Sequence, residues 1–347
     1  MKLGFFRHTL KLAGALAVML GITLVSGCGR NNENVSTTNT IYTEAELMLS
    51  CNGTNVANDT RAAKRFAELL KEKSGGAMTV RIFDNDQLAS NNQKKGLELA
   101  ALGIVDFDLH STSIMGNLDQ HIMISTLPWL FKDYKAAEEA FFGKGGQYLA
   151  KVLAPKGLTY IGAVHNGFKA ITNSKRPLEH PQDLSGLKIR IPGGELFYDF
   201  YKAFGASPQG MSWGEVFTAL QQGTIDGHDN SLSTIKSANI QEVQKYITIT
   251  NYTYEAFTMI ANTKKFNRLN KASQELVRQC AEQACRELDQ EIVKEEAQIK
   301  QEFINAGCEV NELTPEQIDE FKQIVKPLVD KYKKIYGAEA CEAWGIL

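Results

Sequence analysis

From Glu46 onward, short apolar runs alternate with amphipathic helical segments, and this alternation restricts the fold more than any other feature of the chain. It is the pattern of parallel strands joined by helices that pack on a sheet. Residues 47–51 read as a strand. Residues 60–73 read as a helix with Ala62, Ala63, Phe66, Ala67, Leu69 and Leu70 on one face, stopped by Gly75-Gly76. A strand over 78–83, a helix over 92–102 ended by Gly103, and a strand over 104–109 complete one β-α-β-α-β unit.

A second unit starts with a strand over 187–191. Pro192-Gly193-Gly194 turns into a helix over 195–204, followed by a short strand near Ser207. Ser212-Trp213-Gly214-Glu215 is a capping box for a helix reaching Gln222. Gly223 stops that helix, and 224–226 begins the next strand. The units share text at one junction: Gly103-Ile104-Val105-Asp106 and Gly223-Thr224-Ile225-Asp226 both stand where a helix stops and a strand starts. Matching context makes two similar lobes the natural expectation. Ligands of such sheets lie beyond the carboxyl ends of the strands. A cleft between lobes would then be lined by His110-Ser111-Thr112 from one side and Asp229-Asn230-Ser231 from the other. In the C-terminal third, 274–306 is one periodic stretch with Ser273 as N-cap and Gly307 beyond its end. At 1.5 Å per residue it is roughly 50 Å long, enough to span both lobes. Thr314-Pro315-Glu316-Gln317 caps a last long helix that Gly337 closes.

The 347 residues suit two domains, and Lys+Arg 38 against Asp+Glu 40, without a basic block, argues against a nucleic-acid partner. Residues 1–11 carry Lys2, Arg7 and Lys11, and 12–29 hold no charge. Such a run would suit a short membrane helix or a secretory signal. Its end favours the signal: Leu24-Val25-Ser26-Gly27-Cys28 resembles a lipobox, where bacterial lipoproteins are cleaved and lipidated on the cysteine. The expectation is a signal over 1–27, a lipid anchor at Cys28, a polar flexible tether over 28–45, and a folded part outside the cytoplasm. Cys51, Cys280, Cys285, Cys308 and Cys341 then remain, an odd number. Cys280 and Cys285 diverge by about 140° on one helix, too far to bridge. A Cys308–Cys341 bridge stays open, with buried free thiols the preferred reading.

Taken together, the chain resembles the solute-binding component of tripartite ATP-independent periplasmic (TRAP) transporters, the DctP family. The resemblance runs from about Leu47 to Gly337. It is carried by Leu70-Lys71-Glu72-Lys73-Ser74-Gly75-Gly76, Asp86-Gln87-Leu88, Leu127-Pro128-Trp129-Leu130-Phe131, Gly167-Phe168-Lys169-Ala170-Ile171-Thr172-Asn173, Gly186-Leu187-Lys188-Ile189-Arg190-Ile191-Pro192, and the run from Ala219 to Asn230. It implies an α/β, two-lobed periplasmic-binding-protein fold of type II-like form, each lobe a sheet flanked by helices. Lobe I would hold 46–166 plus 256–293, and lobe II 167–255 plus 294–347. It further implies a monomeric receptor that closes on an organic acid by a hinge and delivers it to a small and a large membrane permease subunit, with no cofactor and no metal.

The resemblance also implies roles for particular residues. Arg190 matches the family arginine that binds the ligand carboxylate, where a planar guanidinium supplies two parallel bonds. Asn230 matches an asparagine that contacts the same carboxylate. Trp213 matches an aromatic position lining the pocket, with a core tryptophan as the rival reading. Asn91 falls where some members place an acidic residue for ligand hydroxyls, or is a loop asparagine. Lys169 stands where the family usually has arginine, keeping the charge and losing the fork. His110 is offered as a hydroxyl partner or a structural histidine. The hinge segments would be 165–168, 250–256 and the long helix.

Other classes fare worse. Gly205-Ala206-Ser207-Pro208-Gln209-Gly210 misses the nucleophile elbow, and no histidine pair has zinc spacing. Asp84-Asn85-Asp86 lacks the glycine and glutamate of a calcium loop, and Gly143-Lys144-Gly145-Gly146 lacks a preceding strand. The readings that remain beside the transport receptor are a ligand sensor feeding a membrane receptor and, more remotely, an extracytoplasmic enzyme.

Overall fold

The computed structural model describes residues 41–346; the signal, the lipobox with Cys28 and most of the tether lie outside the described residues. The first unit runs β1 (Ala45–Cys51), α1 (Asn58–Lys73), β2 (Met78–Phe83), α2 (Gln93–Ala101) and β3 (Phe107–Ser111). Short helices α3 (Thr112–Met115), α4 (Tyr134–Phe141) and α5 (Lys144–Leu153) lead to the long strand β4 (Leu158–Asn173). The second unit runs β5 (Lys188–Ile191), α6 (Glu195–Ala203), β6 (Ser207–Gly210), α7 (Trp213–Gln221) and β7 (Gly227–Ser231). Then come α8 (Leu232–Ser237), the long strand β8 (Tyr246–Asn262), α9 (Thr263–Phe266), α10 (Lys271–Asn305), β9 (Glu309–Glu312) and α11 (Pro315–Ala343).

The duplication expected from the repeated junction is present in the topology. The first unit is ordered β2-β1-β3 and the second β6-β5-β7, with parallel pairing in each. The shared Gly-x-x-Asp has one job in both. Asp106 accepts a bond from the Met48 N–H and Asp226 from the Lys188 N–H, each at 2.8 Å, pinning the third strand to the first. Gly103 and Gly223 take φ of 74° and 69° to end the preceding helix, a conformation costly for any residue with a Cβ. Val105 and Ile225 between them are buried.

The two units do not form separate sheets. β4 and β8 pair antiparallel along their whole length, and the resulting nine-stranded sheet is continuous. β3 pairs with the C-terminal half of β8, and β7 with the C-terminal half of β4. Between those halves the register shifts at His165/Gly167 and at Phe168/Ala170. Irregularities of this kind break the ladder locally and bend the strands. Side chains alternate across the sheet: Met259 and Ala261 enter a core with Leu49, Phe66 and Phe107, whereas Ile260 enters the core of the other face.

The long helix crosses this bend. Leu276, Val277, Cys280, Ala284, Cys285, Leu288 and Ile292 of α10 pack on the first unit, and Ile299 and Phe303 pack on the second. At the bend itself Asp289 accepts a bond from the His165 N–H at 2.7 Å, and burial pushes its carboxyl up to about 8. The N-cap of α10 is Asn270, whose side chain accepts from the Ser273 N–H, so the helix begins a residue group earlier than Ser273 as cap would place it. Gly337, with φ 84° and ψ 170°, ends the long stretch of α11 as expected, and a further short helix follows it. The end of the expected tether is structured: the Thr43 N–H donates to Ser273 Oγ at 2.8 Å, and β1 begins at Ala45. All five cysteines of the described residues are free thiols, four of them buried, so Cys308 and Cys341 are not bridged. No helix among the described residues is long and apolar enough to cross a membrane.

Candidate functional site

Both units end their strands at one place, and there the chain leaves a small cavity of about 30 Å³. Asn52 and Gly53 reach it from the end of β1, Ser111 and Ser113 from the end of β3, Arg190 and Pro192 from β5, and Asn230 from β7. The bent middle of the long strands adds Asn166, Lys169, Glu255 and Phe257, and α7 adds Trp213.

Arg190 is 3% exposed. Its Nε and Nη2 donate to the Met211 carbonyl at 3.1 and 2.9 Å, and Nη2 is 3.4 Å from Gln93 Oε1. The guanidinium lies 5.5 Å from the centre of the Trp213 ring. Burial lowers its pKa to about 10, against the pull of Asp229 and Glu255, so it stays charged at neutral pH. Among the described residues no carboxylate comes within 4.0 Å of it. A desolvated cation without a close counter-ion costs several kcal/mol. A carboxylate entering the cavity would offset that cost.

Lys169 differs in this respect. At 2% exposed, its Nζ sits 3.1 Å from Glu255 Oε2 and 3.4 Å from Asp229 Oδ1, with the Phe197 ring centre at 4.6 Å. Burial alone would lower its pKa; the Coulombic attraction of Asp229 and Glu255 outweighs this and raises it. Asp229 also accepts from the hydroxyls of Tyr201 and Tyr252, and Glu255 Oε1 accepts from the Ser113 N–H at 2.9 Å. A solvated strand lysine is therefore not what this residue is.

Asn230 is 7% exposed and lines the cavity, its Oδ1 receiving the Ser231 N–H at 3.1 Å and the Asn166 amide at 3.4 Å. Trp213 is half-buried and lines the cavity, its backbone N–H donating to Gln93 Oε1 at 3.0 Å. Neighbouring His228 is buried and held near pKa 3, first by desolvation and then by Arg190 and Lys169, so it adds no charge here.

Arg190, Lys169, Trp213 and Asn230 are thus brought together. Asn91 and His110 are not. Asn91 is exposed, in left-handed backbone with φ 61°, and is not among the residues that line the cavity. His110 is fully buried behind the lining, its Nδ1 2.7 Å from Asp108 and its Nε2 3.0 Å from Asp86. With an acidic acceptor at each nitrogen the ring is held as an imidazolium: desolvation opposes the charge, and Asp108 and Asp86 prevail. Asp86 also accepts from the Asn52 amide at 2.6 Å, so His110 positions the loop that lines the cavity. Gly96 packs against this loop so closely that a Cβ would lie 1.9 Å from Asp86 Oδ1.

Gln93 and Glu255 are among the lining residues that escaped the sequence reading. Gln93 stands two positions after Asn91; its Oε1 meets Arg190 and Trp213, and its Nε2 donates to the Pro192 carbonyl at 2.9 Å. Nothing local marks it, since it reads as the first residue of a helix. Glu255 did carry a signal: it is the single Asp, Glu, Lys or Arg in the 17 residues of β8, as Lys169 is in the 16 of β4. Lone charges inside otherwise uncharged strands are rarely buried unless paired.

Known proteins match this architecture. A family model described as bacterial extracellular solute-binding protein, family 7 (DctP), matches residues 53–335. The C4-dicarboxylate-binding periplasmic protein DctP of Rhodobacter capsulatus is 34% identical over 297 residues, covering 83% of this chain and 87% of that one. A TRAP periplasmic solute-binding protein from Polaromonas sp. JS666, bound to D-erythronate, superposes with TM-score 0.82 at 29% identity, covering 87% of this chain and 98% of its own. Another, from Ralstonia eutropha H16 with bound (S)-2-acetolactate, gives TM-score 0.83 at 26% identity with the same coverage. With a β-α-β-α-β unit on each side of one cavity and this match over most of its length, the chain belongs to the family-7 bacterial extracellular solute-binding proteins, the DctP family.

Proposed function

We propose that this protein captures a small organic acid in the cavity, its carboxylate on Arg190 and Asn230, and closes two lobes around it for delivery to membrane permease subunits. The observation that carries this reading is Arg190: buried, charged and without a close carboxylate of its own. The similar proteins above, named for a C4-dicarboxylate or solved with hydroxy and oxo acids, support the same class of ligand.

The lobes of this reading are 46–166 with 256–293 and 167–255 with 294–347, hinged where β4 and β8 lose register and where α10 changes cores. Gln93 of the first lobe bonds Arg190, Pro192 and Trp213 of the second across the cavity, and Asn58 bonds Ser233 at 2.9 Å. Contacts of this kind exist together only when the lobes are closed, so a ligand touching both sides must favour closure. A thermal-shift screen over aliphatic, sugar-derived and oxo acids should find one that raises the melting temperature, because it binds only the native state. Small-angle scattering should then show a smaller radius of gyration with that acid. An identical profile at saturation, from a receptor open when empty, would sink the hinge.

The anchor belongs to this proposal too. A thioether-linked lipid at Cys28 would hold the receptor at a membrane surface outside the cytoplasm, on a tether ending near Ile41. A Cys28→Ser variant should leave the membrane fraction with its folded part intact; fractionation like the parent would refute the lipobox reading.

A further inference from the structure

We propose that the cavity selects a singly charged carboxylate whose other end offers hydrogen-bond donors, hydroxyl or ammonium, to Glu255, and that it excludes a second carboxylate. This rests on the organic-acid reading above and narrows its ligand class.

Two buried cations line the cavity, which by itself would suit a dicarboxylate. Only one is uncommitted. Lys169 is shared by Asp229 at 3.4 Å and Glu255 at 3.1 Å, so these three side chains together carry one net negative charge. Arg190 has no such partner and supplies the positive counterpart. Before ligand enters, the four charges cancel. A monocarboxylate on Arg190 therefore leaves one net negative charge in the cluster, and a dicarboxylate would leave two. A second carboxylate would meet Glu255 in the lining and find the lysine already bonded. It would have to break a buried ion pair or remain an uncompensated buried charge, and either is strongly unfavourable.

Glu255 is fixed for this role. Its Oε1 is held by the Ser113 N–H at 2.9 Å, so it cannot swing away without giving up that bond. A carboxylate has about four lone-pair sites; the Ser113 N–H, the Lys169 ammonium and the Asn166 amide at 3.5 Å occupy three of those on Glu255. That leaves room for one ligand O–H or N–H, whereas a ligand carboxylate at the same place meets like charge.

The test is calorimetric titration of the whole purified protein with matched acids of two to six carbons, centred on four of equal length: erythronate and 4-aminobutanoate against succinate and malate. Erythronate or 4-aminobutanoate should bind at least about tenfold more tightly than either dicarboxylate, a difference of about 1.4 kcal/mol; which of the two wins identifies hydroxyl or ammonium as the donor. Glu255→Gln removes one claim on Lys169, so it should raise affinity for succinate by about tenfold or more and narrow the gap. Dicarboxylates binding the parent protein as tightly as monocarboxylates would overturn the inference while leaving the organic-acid function standing. A folded Glu255→Gln with an unchanged ratio would overturn it equally. If that variant does not fold, the ratio measured on the parent decides. Binding of no carboxylate at all would remove the organic-acid function and this inference with it.

Discussion

Arg190→Ala should abolish measurable binding of the acid found by screening, and Arg190→Lys should weaken it by roughly 1.5–3 kcal/mol, the scale of a charge-assisted bond lost with the planar fork. Calorimetric titration of both variants gives the answer. The same side chain should matter little for folding. In the empty receptor its charge is buried with carbonyl and amide partners only, so removing it relieves a desolvation cost as well as losing bonds. The melting temperature of ligand-free Arg190→Ala is therefore expected to stay near that of the parent, while its ligand-induced rise disappears. Unchanged affinity in both variants would remove Arg190 from the site.

Lys169 should show the opposite division. Lys169→Met leaves Asp229 and Glu255 facing each other in a buried space without their shared cation, and breaking a buried pair in this way typically costs about 3–5 kcal/mol. Urea denaturation should show the midpoint falling, with Lys169→Arg much less affected because the charge is kept. The double variant Lys169→Met, Glu255→Gln should recover part of the loss, since one of the two stranded charges is gone. The pH range follows from the sign of the shift. The Lys169 ammonium has a higher pKa folded than unfolded. Its contribution is thus fully present below the ordinary lysine value and fades only as pH rises through the folded one. The destabilisation should accordingly persist across neutral pH. A Lys169→Met protein as stable as the parent would mean that the lysine is not shared between the two acids in solution.

The sequence by itself determined the local architecture. Strand and helix order, the glycine stops and the capping residues are set by interactions within a few positions, and these are written in composition and period. Glu215 reaching back to the Ser212 N–H at 3.2 Å is such a case, as is Asn92 accepting from Lys95 at 3.0 Å. The repeated Gly-x-x-Asp was legible as a duplication for the same reason: helix stop, apolar residue and strand-pinning carboxylate are consecutive. The four of six candidate residues that the structure brings together were legible through the resemblance of short segments: Arg190 and Asn230 on strands that end at the cavity, Trp213 at the start of α7, and Lys169 in the bent middle of β4.

What the sequence left open is what distance along the chain conceals. That β4 and β8 fuse the two units into one sheet depends on pairing between residues such as Phe168 and Tyr254, and no local period records a partner 86 positions away. The same pairing, with its shifts of register at His165/Gly167 and Phe168/Ala170, sets Lys169 against Glu255 and so decides that the lysine holds a protein carboxylate instead of waiting for a ligand. His110 and Asn91 went astray by a related cause. A histidine at a strand end looks available until Asp108 and Asp86 are found on either side of it. Asn91 looks available until the left-handed backbone through Ser90 and Asn91 turns it outward and gives Gln93 its place. Burial and charge compensation are settled by neighbours in space, and only the tertiary structure supplies those.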